Sequence, residues 1–159
     1  MTKKGKHTVL FICLGNICRS PAAEGIMKTI VERAGLTDEF VIDSAGIGDW
    51  HVGQLPDNRM RKCGADHGYK FDSHARQFQK SDFKRFDTIV VMDNENYRAI
   101  TSMASTQADK DKVIRMGDFL TEHREYTIVP DPYYGDYSDF ELVITLLEDA
   151  CQELLKFLI

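Results

Sequence analysis

The chain has 159 residues, 43% of them hydrophobic, with 20 basic and 25 acidic side chains and a formal charge of −5. A chain of this length buries roughly 68–70% of its unfolded surface as one compact domain, so it needs neither a disulfide nor a structural metal to fold. The mild acidity speaks against a general nucleic-acid binder, whose affinity rests on a broad basic face, but a small local anion site would leave no trace in the total.

Lys3, Lys4 and Lys6 stand before an apolar run from Val9 to Leu14, in the superficial manner of a signal peptide. Asn16 and Arg19 interrupt the run, and the better reading is a first buried strand over residues 8–13, rich in β-formers and followed by turn residues. Ser20-Pro21 then reads as a helix N-cap with proline at the first helical position. Apolar residues at 22, 23, 26, 27, 30, 31 and 34 mark one face of that helix, and Gly35 is its terminator. Glu24 falls one place too late for a strict capping box.

Residues 40–45 predict a second strand, and 56–67 a helix stopped near Gly68, with Asp57 as a helix-start residue. Residues 88–92 form the cleanest later strand and 113–116 a weaker one. A long helix covers 139–159, with apolar positions at 140, 143, 144, 147, 150, 151, 154, 155 and 158. Strands alternating with helices imply an α/β fold, three layers around a parallel sheet, and no linker or repeat divides the expected single domain over 1–159. No stretch approaches about 18 consecutive apolar residues, so no membrane span is expected. Ligands of such sheets bind beyond the carboxyl ends of the strands, which places the chemistry just after residues 12 and 92.

The segment Cys13-Leu14-Gly15-Asn16-Ile17-Cys18-Arg19-Ser20 lies in that place, between the first strand and the first helix. A short loop entering a helix turns successive N–H groups toward one spot, and the helix dipole adds about half a positive charge there. Gly15 and Asn16 tolerate backbone conformations that such a loop demands. Arg19 offers a guanidinium fork for two phosphate oxygens. A thiol in that field ionises more readily than a free cysteine, and Ser20 can donate a hydrogen bond to the resulting sulfur. Cys13 thereby becomes a nucleophile inside an anion cradle, although a cysteine considered alone is as well explained as a buried strand end. Cys18 either packs beneath the loop or serves a redox role.

The whole stretch from Val9 to Glu24 resembles the signature of the low-molecular-weight protein tyrosine phosphatases. Asp43-Ser44-Ala45-Gly46, Met92-Asp93 and Asp131-Pro132-Tyr133-Tyr134-Gly135 match in the same order. The resemblance covers nearly the full chain and implies a four-stranded parallel sheet, metal-free catalysis without a cofactor, and a cysteinyl-phosphate intermediate. It implies Cys13 as nucleophile, Arg19 as phosphate ligand and Asp131 as proton donor to the leaving tyrosyl oxygen. Leu14 to Ser20 would line the phosphate, with Asn16, Ser20 and Ser44 supporting the loop by hydrogen bonds and Asp93 supporting the site, and Trp50, Tyr133 and Tyr134 would form the aromatic rim. It also points to a reversible disulfide between Cys13 and Cys18. One departure stands out: Ser73 occupies the place where the family often has a loop-supporting histidine, and His74 follows it.

Each residue has a plainer reading. Asp131-Pro132 is also an ordinary turn, the two tyrosines could be loop packing, Trp50 a partly buried core residue, and Asp93 the end of its strand. An aryl ester nevertheless needs a proton donor, because tyrosine leaves poorly as phenolate. The expected partner is a phosphotyrosine-containing protein, with a monomer in the cytoplasm as the default assembly and location. Arsenate reductases of the same fold are the rival reading, but they place a cysteine where Asp93 stands, and the other thiols here are at 63 and 151. A non-catalytic phosphotyrosine-binding module would lack the nucleophile or the acid, and both are present. A thiol oxidoreductase would want Cys-x2-Cys, and the five histidines show no metal-ligand spacing.

Overall fold

The structure is a computed structural model and describes residues 6–159. Lys3 and Lys4 lie outside the described residues, while the apolar run they precede forms strand β1, His7–Cys13. The other strands are β2 (Phe40–Gly46), β3 (Thr88–Val91) and β4 (Val113–Arg115). They make one parallel sheet in the order β2-β1-β3-β4, the four-stranded α/β architecture expected.

Strand β1 is buried on both sides, and its alternation divides the core. Val9, Phe11 and Cys13 face a layer containing α1 (Arg19–Arg33) and α6 (Tyr137–Leu158), which pack on each other. Leu10 and Ile12 face the opposite cluster, with Phe78, Phe83, Phe86 and Ile100. Of the predicted apolar face of α1, residues 22, 23, 26, 27, 30 and 31 are buried, and Ala34 is exposed just past the helix end. Gly35 terminates α1 at φ 73, a left-handed conformation that costs glycine nothing. The long helix α6 buries Phe140, Val143, Ile144, Leu147 and Ala150 along one stripe, and Asp136 with Asp139 closes its start in a capping box.

Two local expectations are corrected. Helix α1 begins at Arg19, so Ser20 is not its N-cap but lies within the first turn, where its hydroxyl meets Cys13 and Asn16 instead. Pro21 remains in that turn, where no N–H is required. The crossover from β3 to β4 contains α4 (Asn94–Ser102) and the short α5 (Gln107–Asp111), where no helix is read from the sequence. Only Asn96 and Ile100 of α4 are buried, too sparse an apolar face to display a 3.6-residue period. Between β2 and β3 lie α2 (Asn58–Asp66) and the single turn α3 (Asp82–Arg85). Asp57 caps α2 by accepting from the Arg59 N–H, as a helix-start residue should. No helix among the described residues is long and apolar enough to cross a membrane.

The connection after β1 leads to β2 on one side of it, whereas β3 pairs on the other. The sheet therefore reverses its winding at β1, and a crevice opens beyond the carboxyl ends of β1 and β3.

Candidate active site

The loop from Cys13 to Arg19 occupies that crevice. Its carbonyls are used by the surrounding chain: Ile47 N–H donates to Cys13 O, Gly48 N–H to Leu14 O, and Asp57 N–H to Ile17 O. The N–H groups of Leu14, Gly15, Asn16, Ile17 and Cys18 have no protein acceptor among the described residues. The loop thus spends its acceptors on the fold and keeps its donors for an anion. Gly46 at the end of β2 permits this closeness, because a Cβ there would lie 3.0 Å from the Asn16 nitrogen.

Asn16 organises the loop from beneath. It is 2% exposed and sits at φ 58, in the left-handed region that asparagine tolerates. Its Oδ1 accepts from the Arg76 backbone N–H at 2.9 Å, which fixes the orientation of the amide. Its Nδ2 then donates to Ser20 Oγ at 2.8 Å and Ser44 Oγ at 3.0 Å. Ser44 in turn donates to Glu24 Oε1 at 2.6 Å. With its oxygen accepting from Asn16, Ser20 directs its own proton toward Cys13 Sγ, 3.0 Å away; its other neighbour, the Ala45 carbonyl, is at 3.5 Å. A directed chain of hydrogen bonds therefore delivers one donor to the sulfur.

Arg19, 2% exposed, crosses the crevice. Its Nη1 donates to Asp93 Oδ2 at 2.7 Å and to the Val129 carbonyl at 3.0 Å. Burial works against its charge, but Cys13, Asp93 and Asp131 together hold its pKa above the usual value. Among the described residues Nε has no acceptor and Nη2 has only Asp131 Oδ2 at 3.6 Å, so that edge of the fork is left for a ligand. Asp93 also caps α4 by accepting from the Asn96 N–H, so it is both a strand-end residue and an arginine anchor. Asp131 belongs to the turn before α6, where its Oδ1 accepts from the Tyr133 N–H at 3.1 Å, and its side chain is 43% exposed.

These groups line a pocket of about 290 Å³ with Cys13 and the loop at its floor and Trp50, Tyr133 and Tyr134 around its mouth. Trp50 is 64% exposed, which rules out the core reading for it. Tyr133 and Tyr134 meet edge to face with centroids 5.0 Å apart. The structure brings together every sequence-predicted site residue. Asn16 and Ser20, expected along the phosphate, lie beneath the loop and do not line the pocket, and Ser44 and Asp93 reach the site through Asn16 and Arg19.

Three participants were not legible as such. Glu24 ends the hydrogen-bond chain, and His51 lines the pocket with its ring 3.2 Å from where a Cβ on Gly15 would stand. Arg76 supplies the N–H for Asn16 while its guanidinium bridges Asp43 and the fully buried Asp82. The loop support that a histidine at position 73 would offer is taken by that N–H, and His74 is exposed. The clue for Glu24 was its place in the Val9-to-Glu24 stretch. Cys18 lies buried in the loop, and burial first, then Cys13 and Asp57, raise its thiol pKa far above the ordinary value. Cys63 and Cys151 are fully buried.

Residues 8–159 match the family described as low molecular weight phosphotyrosine protein phosphatase. A low molecular weight protein-tyrosine-phosphatase of Streptomyces coelicolor is 44% identical over 151 residues, covering 94% of this chain and 92% of that protein. The low molecular weight phosphotyrosine protein phosphatase of Sus scrofa is 38% identical over 157 residues, covering 98% of each. A crystal structure of a protein tyrosine phosphatase from Entamoeba histolytica, with Hepes in its active site, superposes with a TM-score of 0.92. It is 48% identical and covers 95% of this chain and 96% of that one.

Proposed function

The chain belongs to the low molecular weight phosphotyrosine protein phosphatase family and is a phosphatase, and from that premise we propose that it hydrolyses phosphotyrosine in proteins through a phosphorylated Cys13. The observation that carries this reading is the placement of Cys13 Sγ: 3.0 Å from the Ser20 hydroxyl, on the floor of a pocket whose walls offer free N–H groups and the open edge of Arg19.

The tyrosyl phosphate enters with its ring between Trp50 and the Tyr133–Tyr134 pair. Its non-bridging oxygens take the loop N–H groups and the Arg19 Nε and Nη2 donors, so charge spreading in the transition state meets fixed dipoles. The Cys13 sulfur attacks phosphorus in line; the S–P bond forms as the P–O bond to the ring breaks. Asp131 gives its proton to the departing phenolic oxygen. As a carboxylate it then takes a proton from water, whose oxygen attacks phosphorus and expels the sulfur. The Ser20 O–H stabilises that sulfur as it leaves.

Two features favour phosphatase chemistry over arsenate reduction. Asp93 stands where the rival class places a thiol, and it is committed to Arg19 and to α4. Cys63 and Cys151 are fully exposed to neither the pocket nor solvent and make a poor relay for oxidising equivalents. Rapid quench with a ³²P-labelled aryl phosphate is expected to label a peptide containing Cys13 through an S–P bond. Cys13→Ser is expected to remove the label and lower kcat to about a thousandth of wild type or less. Turnover by Cys13→Ser near the wild-type rate would reject the covalent route.

A further inference from the structure

The phosphate pocket has a neighbour. A second recess of about 310 Å³ opens beside it, and the two share Ile17, His51 and Tyr133 as walls. Gln54, Asp57, Asn58 and Arg61 supply the remaining polar lining of the recess.

The charges there are unequally used. Asp57 accepts from Arg59 Nε at 3.0 Å and from Arg59 Nη2 at 2.9 Å, and this pair is self-contained. The Arg59 guanidinium also lies over the rings of Tyr133 and Phe140, at 5.3 and 4.8 Å from their centroids. Arg61 differs. Its Nε donates to the Pro56 carbonyl at 3.1 Å and its Nη2 to Asn58 Oδ1. Both acceptors are neutral, and no carboxylate among the described residues pairs with it. The fork is therefore oriented without being neutralised.

We propose that this recess receives the side chain of an acidic residue flanking the phosphotyrosine, with its carboxylate on Arg61, so that the enzyme selects phosphotyrosine in acidic peptide contexts. The inference rests on the phosphotyrosine reading of the first pocket. Consecutive Cα atoms lie about 3.8 Å apart, so a peptide whose ring fills one pocket presents its neighbouring side chains at the shared wall. The net charge of −5 gives no general attraction for acidic substrates. A preference for them has to come from a local cation, and among the described residues lining the recess Arg61 is the one without a carboxylate partner.

The test uses phosphotyrosine peptides in which each of the two positions on either side of the phosphotyrosine is Glu or Gln in turn. For wild type, Arg61→Gln and Arg61→Lys, kcat/KM on each peptide is divided by that on phenyl phosphate, so a general loss of activity or folding cancels. The expected result is a Glu-over-Gln preference of about three- to fivefold at one position at least, abolished in Arg61→Gln, partly kept in Arg61→Lys, and weakened by salt. A wild type indifferent to Glu at every position, or a preference that survives Arg61→Gln, overturns the proposal. Hydrolysis of phenyl phosphate without any peptide preference rejects the second recess alone. No hydrolysis of any ester rejects the phosphotyrosine reading as well.

Discussion

Asn16 is the residue whose loss the structure prices most directly. Asn16→Ala removes three hydrogen bonds, two donated by Nδ2 and one accepted from the Arg76 N–H. At about 1 kcal/mol net each, with a range of roughly 0.5–1.5, they sum to about 1.5–4.5 kcal/mol. Alanine also takes up the φ of 58 with more strain than asparagine, adding about 1 kcal/mol. The total of about 2.5–5.5 kcal/mol reaches no further than the low end of the roughly 5–15 kcal/mol that holds a typical domain, so the variant is expected to fold with a lowered urea midpoint. Asn16→Gly loses the same three bonds but not the left-handed strain. Allowing about 0.4–1 kcal/mol for the extra freedom of glycine in the unfolded chain, it should match Asn16→Ala or exceed it by up to about 0.6 kcal/mol.

Asn16→Asp separates stability from chemistry. It can still accept the Arg76 N–H, but it offers no donor to Ser20, whose proton then turns to the new carboxylate instead of Cys13. Its kcat should fall more than its stability does. Urea titrations of the three variants, with kcat on one aryl phosphate, check both parts. An Asn16→Ala variant within about 1 kcal/mol of wild type, or one clearly more stable than its glycine counterpart, would refute the argument.

Asp131→Ala should slow phenyl phosphate far more than an activated nitrophenyl ester, because a good leaving group needs less help from an acid; equal losses would remove Asp131 from that role. In wild type, mild peroxide followed by a thiol should restore activity through a Cys13–Cys18 disulfide: the Cys13 sulfenic acid takes the Cys18 sulfur and releases water. Cys18→Ser should recover poorly after the same treatment, and full recovery would leave Cys18 a packing residue. Burial raises the pKa of the Cys151 thiol, so the folded chain keeps a proton that the unfolded chain loses above about pH 9. Stability should therefore be unaffected by this group at neutral pH and fall by up to about 1.4 kcal/mol per unit above pH 9, and Cys151→Ala should show a shallower alkaline decline in urea midpoints.

Strand β1, the loop and helix α1 were legible because their signals are local: an apolar run of β-formers, a Cys-to-Arg spacing and a 3.6-residue period follow one another within 27 residues, His7–Arg33. The support beneath the loop carries no such local signal: as supports, Asn16, Ser20 and Ser44 came only from the resemblance, and Arg76 and Glu24 were missed. Asn16 finds its partners 28 and 60 residues away, at Ser44 and Arg76, and no periodicity announces a contact of that range. Ser20 misled for a related reason. Serine before proline is a good cap, but a serine with a sulfur and an amide within reach satisfies those first. Helix α4 escaped because its first turn is held by the Asp93 side chain rather than by an apolar face.

The two aspartates at the crevice show where sequence reading stops and geometry begins. Both follow a strand or open a turn, and both stand close to Arg19, so residue type and context make either a plausible acid. Their oxygens are engaged differently. Asp93 uses Oδ1 on the Asn96 N–H and Oδ2 on Arg19 Nη1 at 2.7 Å, and its side chain is 19% exposed. Protonating either oxygen would break a helix cap or an ion pair, so Asp93 is suited to holding Arg19 still. Asp131 anchors only Oδ1 in its own turn; Oδ2 has a single contact, at 3.6 Å, and the side chain is more than twice as open. A proton can come and go at that oxygen without dismantling the site, which is what an acid in the first step and a base in the second must allow.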